Sequence, residues 1–274
     1  MRSLERAAPR GAWAEPPPIA RFVGDTLTIA DSELHKIVRD PLELLTRAVQ
    51  PLLWLLVFGQ VLARVRAIPT GNLAYMDFLA PGVLAQSALF IAIFYGISVI
   101  WERDLGVVHK LLVSPAPRSA LVLGKALSGG LRALIQAFLL YVVTAVVGIH
   151  LRLEPLPILG VALALFLGSA LFATFSLVIA CLVRSRERFM GIGQLLTMPL
   201  FFASSAVYPI ALMPDWLKVV AAINPLTYMV EAVRSLMVVG GTTAHPLAMD
   251  LGVLGGALAV LVIIGAWVYP RLGQ

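Results

Sequence analysis

Chemistry in this 274-residue chain has to start from side chains that take a proton, hold a metal or attack a carbonyl, and few of them stand in a working arrangement. The histidines, His35, His109, His150 and His245, lie far apart, with no H-E-x-x-H or comparable ligand spacing. Cys181 is the only cysteine, which excludes an intramolecular disulfide and a cysteine-rich metal site within one chain. No serine sits in a G-x-S-x-G turn, and no G-x-x-x-x-G-K-[ST] loop is present to cradle a nucleotide. What remains is charge set into apolar sequence: Arg132 with Gln136 four residues on, and Glu231 with Arg234 three residues on. Neither pair is a catalytic constellation, so an enzyme is not expected; each pair can bind or brace.

The elements that hold these residues are apolar to an unusual degree. Hydrophobic residues make up 59% of the chain and charged ones 13%, against about 45–50% and 25% in a soluble protein. Such a chain needs lipid as its solvent, and one crossing takes about 20 apolar residues. Between flanking charges the uncharged runs are 48–63, 78–101, 133–151, 155–183, 189–214 and 251–270, six candidate spans with no Asp or Glu inside them. The first 46 residues contain no run long enough for a signal-peptide core. A net charge of +6 raises the question of nucleic acid. The basic residues, however, lie in short segments beside apolar runs, as against an anionic membrane surface, so no nucleic acid is expected.

Basic loops stay cytoplasmic. With the amino terminus inside, 15 of the 21 Lys and Arg residues fall on the cytoplasmic side and five on the other. Six spans then leave both termini in the cytoplasm, in the inner (plasma) membrane. Residues 1–20 read as a flexible cytoplasmic tail, ending in Pro16-Pro17-Pro18. Over 21–47, Phe22, Leu27, Leu34, Ile37, Val38 and Leu45 recur at helical spacing among charges, predicting an amphipathic helix along the inner surface or an ordinary cytosolic one. Asp40-Pro41 is expected to interrupt it. The remainder, 48–274, reads as a single six-span domain. A third helix beginning near Lys125 puts Arg132 about 10 Å along it, where it either snorkels inward or lines a cavity with Gln136.

Two segments carry more. ERDLGVVHKLLVSPAPRSALVLGKAL, from Glu102, joins the second and third spans; Leu105, Val108, Leu111 and Leu112 form an apolar stripe that ends at Ser114-Pro115. AVYPIALMPDWLKVVAAINPLTYMVEAVRSLM, residues 206–237, is too apolar for a wet loop and too broken by Pro209, Pro214 and Pro225 for a span. A re-entrant or interfacial hairpin over about 208–240 fits it. Both segments resemble the motifs of the type 2 ABC exporter permeases, which include multidrug and daunorubicin-type exporters.

The resemblance implies an all-α membrane protein of six transmembrane helices with an amino-terminal connecting helix at 21–47, a cytoplasmic coupling helix at about 102–117 and an extracytoplasmic hairpin before the last span. It implies that Glu102, Arg103, Asp104, Gly106, Leu111, Leu112 and Pro115 belong to the segment that docks on an ABC ATPase. It further implies an outer gate formed by Tyr208, Pro209, Asn224, Pro225, Tyr228, Glu231 and Arg234, although Glu231 and Arg234 also read as a purely structural ion pair. ATP and Mg would be held by that partner ATPase, with no cofactor in this chain. The other partners would be a second permease copy, as homodimer or homologous heterodimer, membrane lipid and a hydrophobic drug-like or lipid substrate moved outward. A polysaccharide or lipid-linked glycan exporter is the alternative within the family; an ATP-independent transporter or channel is the alternative outside it. Leu127-Ser128-Gly129-Gly130 spells the opening of an ABC ATPase motif by coincidence, and its small residues suit close helix packing, as do Gly252 and Gly256, a G-x-x-x-G pair that serves either packing within the chain or a dimer.

Overall fold

A computed structural model describes residues 18–39, 41–66, 68–113, 116–183 and 185–270. The expected tail lies outside them as far as residue 17, and so does Pro115. Among the described residues the chain is helical, its one ladder contact an isolated antiparallel bridge between Leu151 and Val238.

The amphipathic segment forms α1 (Pro18–Arg39), which lies on the later helix α6 (Arg118–Val146): Ile29 and the Thr26 carbonyl pack against Gly124. Asp40, where a break is expected, lies outside the described residues; α2 (Pro41–Leu53) takes in Leu42 to Leu45 and continues through a π-helical turn, Trp54–Gly59, into α3 (Gln60–Val65). α4 (Tyr75–Asp104), α7 (Pro155–Leu182) and α11 (Leu247–Val268) are the other long rods. Five helical stretches among the described residues are long and apolar enough to cross a membrane: Ala48–Val65, α4, α6, α7 and α11.

Several of these helices overrun the uncharged stretches that predict them. α4 extends to Asp104, and α6 begins at Arg118 instead of near Lys125. The physical reason is that Glu102, which bounds the run 78–101, and Lys125, near which the third helix is expected to begin, neutralise each other across 2.5 Å and so stay inside their helices. Arg132 therefore lies about 21 Å along α6, roughly twice the depth expected. The stretch 189–214 differs more. It forms α8 (Arg186–Phe202), 17 residues long, which stops three residues after Pro199 and gives way to turns over 203–208 and a 3-10 turn at Ile210–Leu212. α9 (Asp215–Ile223) and α10 (Pro225–Met237) follow and meet at Asn224.

α4 is the axis, buried over most of its length. α8 runs antiparallel to it. Arg186 lies beside Asp104, Phe189 against Gly96, Gly193 beside Ile93, and the Ala206 backbone against Gly82. α7 runs parallel, its Ser176 hydroxyl accepting from Gly96 N–H and donating to the Ile93 carbonyl. α10 returns antiparallel along α7, with Met229 against Gly168 and Leu236 against Gly160. A side chain at Gly82 has to displace backbone at Ala206, which no rotamer change relieves. Gly82→Val is expected to lose about 1–3 kcal/mol in detergent unfolding titrations. Gly252→Val is expected to lose nothing, because a Cβ there meets no atom within 4 Å. The Gly252 and Gly256 face is thus open rather than packed within the chain, whereas Gly129 and Gly130 do pack closely, on Ala173 and Phe166.

Candidate functional site

The helix register gathers the polar residues at two opposite ends. At the loop end, α4 is stopped by Gly106, whose φ of +72° a side chain rarely adopts, and the chain turns into the short helix α5 (Val107–Val113). The base of this turn is braced three ways. Lys125 Nζ on α6 pairs with Glu102 at 2.5 Å, the two side chains only 2% and 10% exposed. Arg103 donates to the Val183 carbonyl at the end of α7, 3.1 Å away. Arg186 at the start of α8 reaches Asp104 at 2.7 Å and lies over the Trp101 ring at 3.9 Å. Ser185 caps α8 by accepting from the Arg188 N–H.

These contacts divide the predicted coupling residues. Glu102 is buried as a brace, and Arg103 and Asp104 tie neighbouring helix ends together. Val108 is sealed and Leu111 packs inward beside it, so these two members of the predicted stripe face the inside. Leu105 and Val113 point outward, 72% and 87% exposed. Pro115 and the side chain of Leu112 lie outside the described residues.

At the hairpin end, Asn224 accepts from Leu226 N–H to cap α10 while donating to the carbonyls of Leu200 and Ala203 at 2.7 and 3.0 Å. Pro225 occupies the first turn, where its missing N–H costs nothing. Tyr228 donates to the Ala222 carbonyl at 2.7 Å, closing the α9–α10 corner. Arg234 is 3% exposed and pairs with Glu231 at 2.5 Å. It also donates to the carbonyls of Ser205 and Phe78, at 2.5 and 3.4 Å, and covers the Phe78 ring at 3.9 Å. Glu231 accepts in addition from Ala244 N–H at 2.8 Å. Tyr208 donates to the Phe202 carbonyl. Glu231, Arg234 and Pro209 border an open cavity of about 580 Å³, whose walls also include residues 69–73, Phe78, Gly240 and 242–244. The predicted gate residues thus fall into two groups, four around this cavity or its rim and three at the Asn224 corner.

Some polar residues at this end escape a reading that cuts spans at charges. Asp77, in the first turn of α4, accepts from the His150 backbone N–H at 3.2 Å and lies 3.0 Å from His150 Nδ1. Asp250, in the first turn of α11, is fully buried and accepts from Thr243 at 2.9 Å. Both bound uncharged runs in the sequence, and the signal available was their place as an acidic residue in a first helical turn. Mid-helix, the Arg132 guanidinium lies 5.3 Å from the centre of the Tyr95 ring, and Gln136, one turn on, is 1% exposed.

A bundle of long apolar helices, braced by ion pairs at one end and carrying short proline-broken helices at the other, is the build of a polytopic membrane protein. The chain belongs to the ABC-2 type transporter family, whose family model matches residues 25–238; this bears out the resemblance read from the two motifs. The ycf38 protein of Cyanophora paradoxa, named as a transport permease, is 30% identical over 219 residues, covering 78% of this chain and 74% of its own. The daunorubicin resistance ABC transporter permease protein DrrB1 of Streptomyces coeruleorubidus is 26% identical over 262 residues, 94% of this chain and 89% of its own. DrrC of Mycobacterium tuberculosis, named as a doxorubicin resistance ABC transporter permease, is 24% identical over 254 residues, 91% and 90% of the two chains.

Proposed function

We propose that this chain is the membrane subunit of an ATP-driven exporter, with ATP and Mg held by a separate ABC ATPase, and that it moves a hydrophobic drug-like or lipid substrate outward from the cytoplasm or inner leaflet. The observation that carries this reading is the loop end. Four helix ends are pinned together by Glu102–Lys125, Arg103–Val183 and Asp104–Arg186, and from that platform Leu105 and Val113 present apolar surface at the most charged part of the bundle. Apolar groups beside so much charge lie outside the lipid and fit a protein partner. A push on α5 passes through the braces into α4, α6, α7 and α8 together. Nucleotide then works by stabilising one arrangement of these helices over another, which is the only way a ligand shifts such an equilibrium.

The register of α8 supports the six-span topology. Between its contacts at Asp104 and Gly82, α4 rises about 33 Å, more than the roughly 30 Å hydrocarbon core, and α8 with its following turn covers the same distance in the opposite sense. The register of α10 supports a re-entrant hairpin: Met229 is level with Gly168, about 20 Å along α7 from its start. With the loop end in the cytoplasm, the 580 Å³ cavity faces outward as the gate region. The mostly exposed apolar surfaces of Ala48–Val65 and α11 are left for lipid and a second permease copy.

Leu105→Asp tests the docking surface without disturbing the packing, because the side chain is 72% exposed. Charging an apolar anchor is expected to cost about 2 kcal/mol or more of association, roughly a 30-fold loss of co-purification with the partner ABC ATPase. Membrane insertion should stay normal. Undiminished ATPase association, or transport in vesicles lacking any ATPase, overturns the reading.

A further inference from the structure

The strap between α10 and α11 carries an arrangement that the export reading does not use. Asp250 is 0% exposed, and while one carboxylate oxygen takes the Thr243 hydroxyl at 2.9 Å, the other has no hydrogen-bond partner among the described residues. Facing it is His245 Nδ1 at 3.7 Å, likewise buried and without a hydrogen bond. The imidazole ring lies against the Tyr228 ring, centroids 5.4 Å apart, and the side chain as a whole is 28% exposed, so solvent protons reach it.

The surrounding charges set the sign. From α10 the cluster faces Glu231 and Arg234, which neutralise each other at 2.5 Å. The Tyr228 phenol, also on α10, is engaged with the Ala222 carbonyl. The strap contributes His245 and α11 contributes Asp250. With a neutral imidazole the cluster retains one uncompensated buried negative charge, which is costly; a protonated imidazole brings it to zero and turns a 3.7 Å gap into an ion pair. The strap itself is the cavity wall. Thr242, Thr243 and Ala244 line the 580 Å³ space, Thr243 also accepts from His245 N–H, and Ala244 is tied to Glu231.

We propose that His245 and Asp250 form a proton-operated clasp that fastens the 240–246 strap to α11 and so sets the closure of the cavity: shut while the imidazole is protonated and the carboxylate ionised, looser once the imidazole is neutral or the carboxylate has taken its own proton. Only the side of the membrane whose pH is sensed rests on the export reading. Purified protein in detergent exposes both ends to one buffer, so the test stands apart from that reading.

A spin label placed at position 242 through Thr242→Cys, in a chain carrying Cys181→Ala, reports strap mobility without transport. The wild-type pair is expected to show a step to lower mobility as pH falls from about 8 into the range of imidazole protonation, and a return to higher mobility once acid protonates Asp250. His245→Gln is expected to abolish the step and leave the label mobile throughout; His245→Lys is expected to hold it immobile at about pH 8, where the unaltered pair is mobile. A step that persists in His245→Gln, a mobile label at that pH in His245→Lys, or no step in the unaltered pair overturns the proposal.

Discussion

Lys125→Met is expected to be among the most damaging single changes outside the apolar core, losing about 3–5 kcal/mol of stability in a detergent unfolding titration. The Lys125 side chain is 2% exposed and meets the Glu102 carboxylate at 2.5 Å; removing the ammonium takes that close cation away from a buried carboxylate. The loss is expected to come from desolvation rather than from the pair's net attraction, which gives the prediction its second arm. Glu102→Leu combined with Lys125→Met takes both charges away, and replacing a whole buried pair by apolar groups is often neutral or better. The double variant should therefore regain most of the stability. If the single variant unfolds with the unaltered protein, or if the double is worse than the single, Glu102–Lys125 is not the brace between α4 and α6. Under the proposed function, the double variant should still insert but respond poorly to the ATPase, since the ionic strut between two helix ends is gone.

That pair also explains what the sequence could and could not yield. Long uncharged runs locate the cores of α4, α6, α7 and α11, because a buried charge in lipid is expensive and evolution of an apolar rod leaves gaps of charge. The same logic misplaces helix ends wherever two charges cancel. Glu102 and Lys125 lie 23 positions apart and read as the limits of two spans, while in the fold they meet and both helices run past them. Asp77 and Asp250 are hidden in the same way: their partners, His150 and Thr243, lie in loops whose approach depends on tertiary packing. The 3.6-residue period of α1 was legible, whereas its seat on Gly124 was not. In the segment after Glu102 a helical stripe is visible in the sequence, but which side faces inward depends on α4, and Val108 is sealed where Leu105 is open. The prolines of the hairpin announced short pieces, and Asn224-Pro225 is indeed where α9 and α10 meet. The i,i+3 spacing of Glu231 and Arg234 pointed straight to their pairing.

Arg234→Gln should rival Lys125→Met. The guanidinium is 3% exposed and serves four groups at once: the Glu231 carboxylate, the Ser205 and Phe78 carbonyls and the Phe78 ring. These contacts join α10 to α4 and to the turn after α8, so the residue holds the hairpin end together from its centre. Glutamine keeps hydrogen-bonding capacity but loses the charge and the planar fork, leaving Glu231 buried beside unmatched carbonyls at a cost of about 3–5 kcal/mol. Arg234→Lys retains the charge yet places it as a point with no flat face for Phe78 and no fork for divergent acceptors, so only part of the loss should return. Glu231→Gln should be milder than either, because its amide oxygen still accepts from Ala244 and Arg234 keeps both carbonyls. Thermal inactivation and protease cleavage within residues 203–246 distinguish the three variants, with Arg234→Gln the most susceptible, Arg234→Lys intermediate and Glu231→Gln the least. Should Arg234→Gln prove as resistant as the unaltered chain, the hairpin is held from elsewhere, and the ion pair could serve neither as its brace nor as a gate hinge.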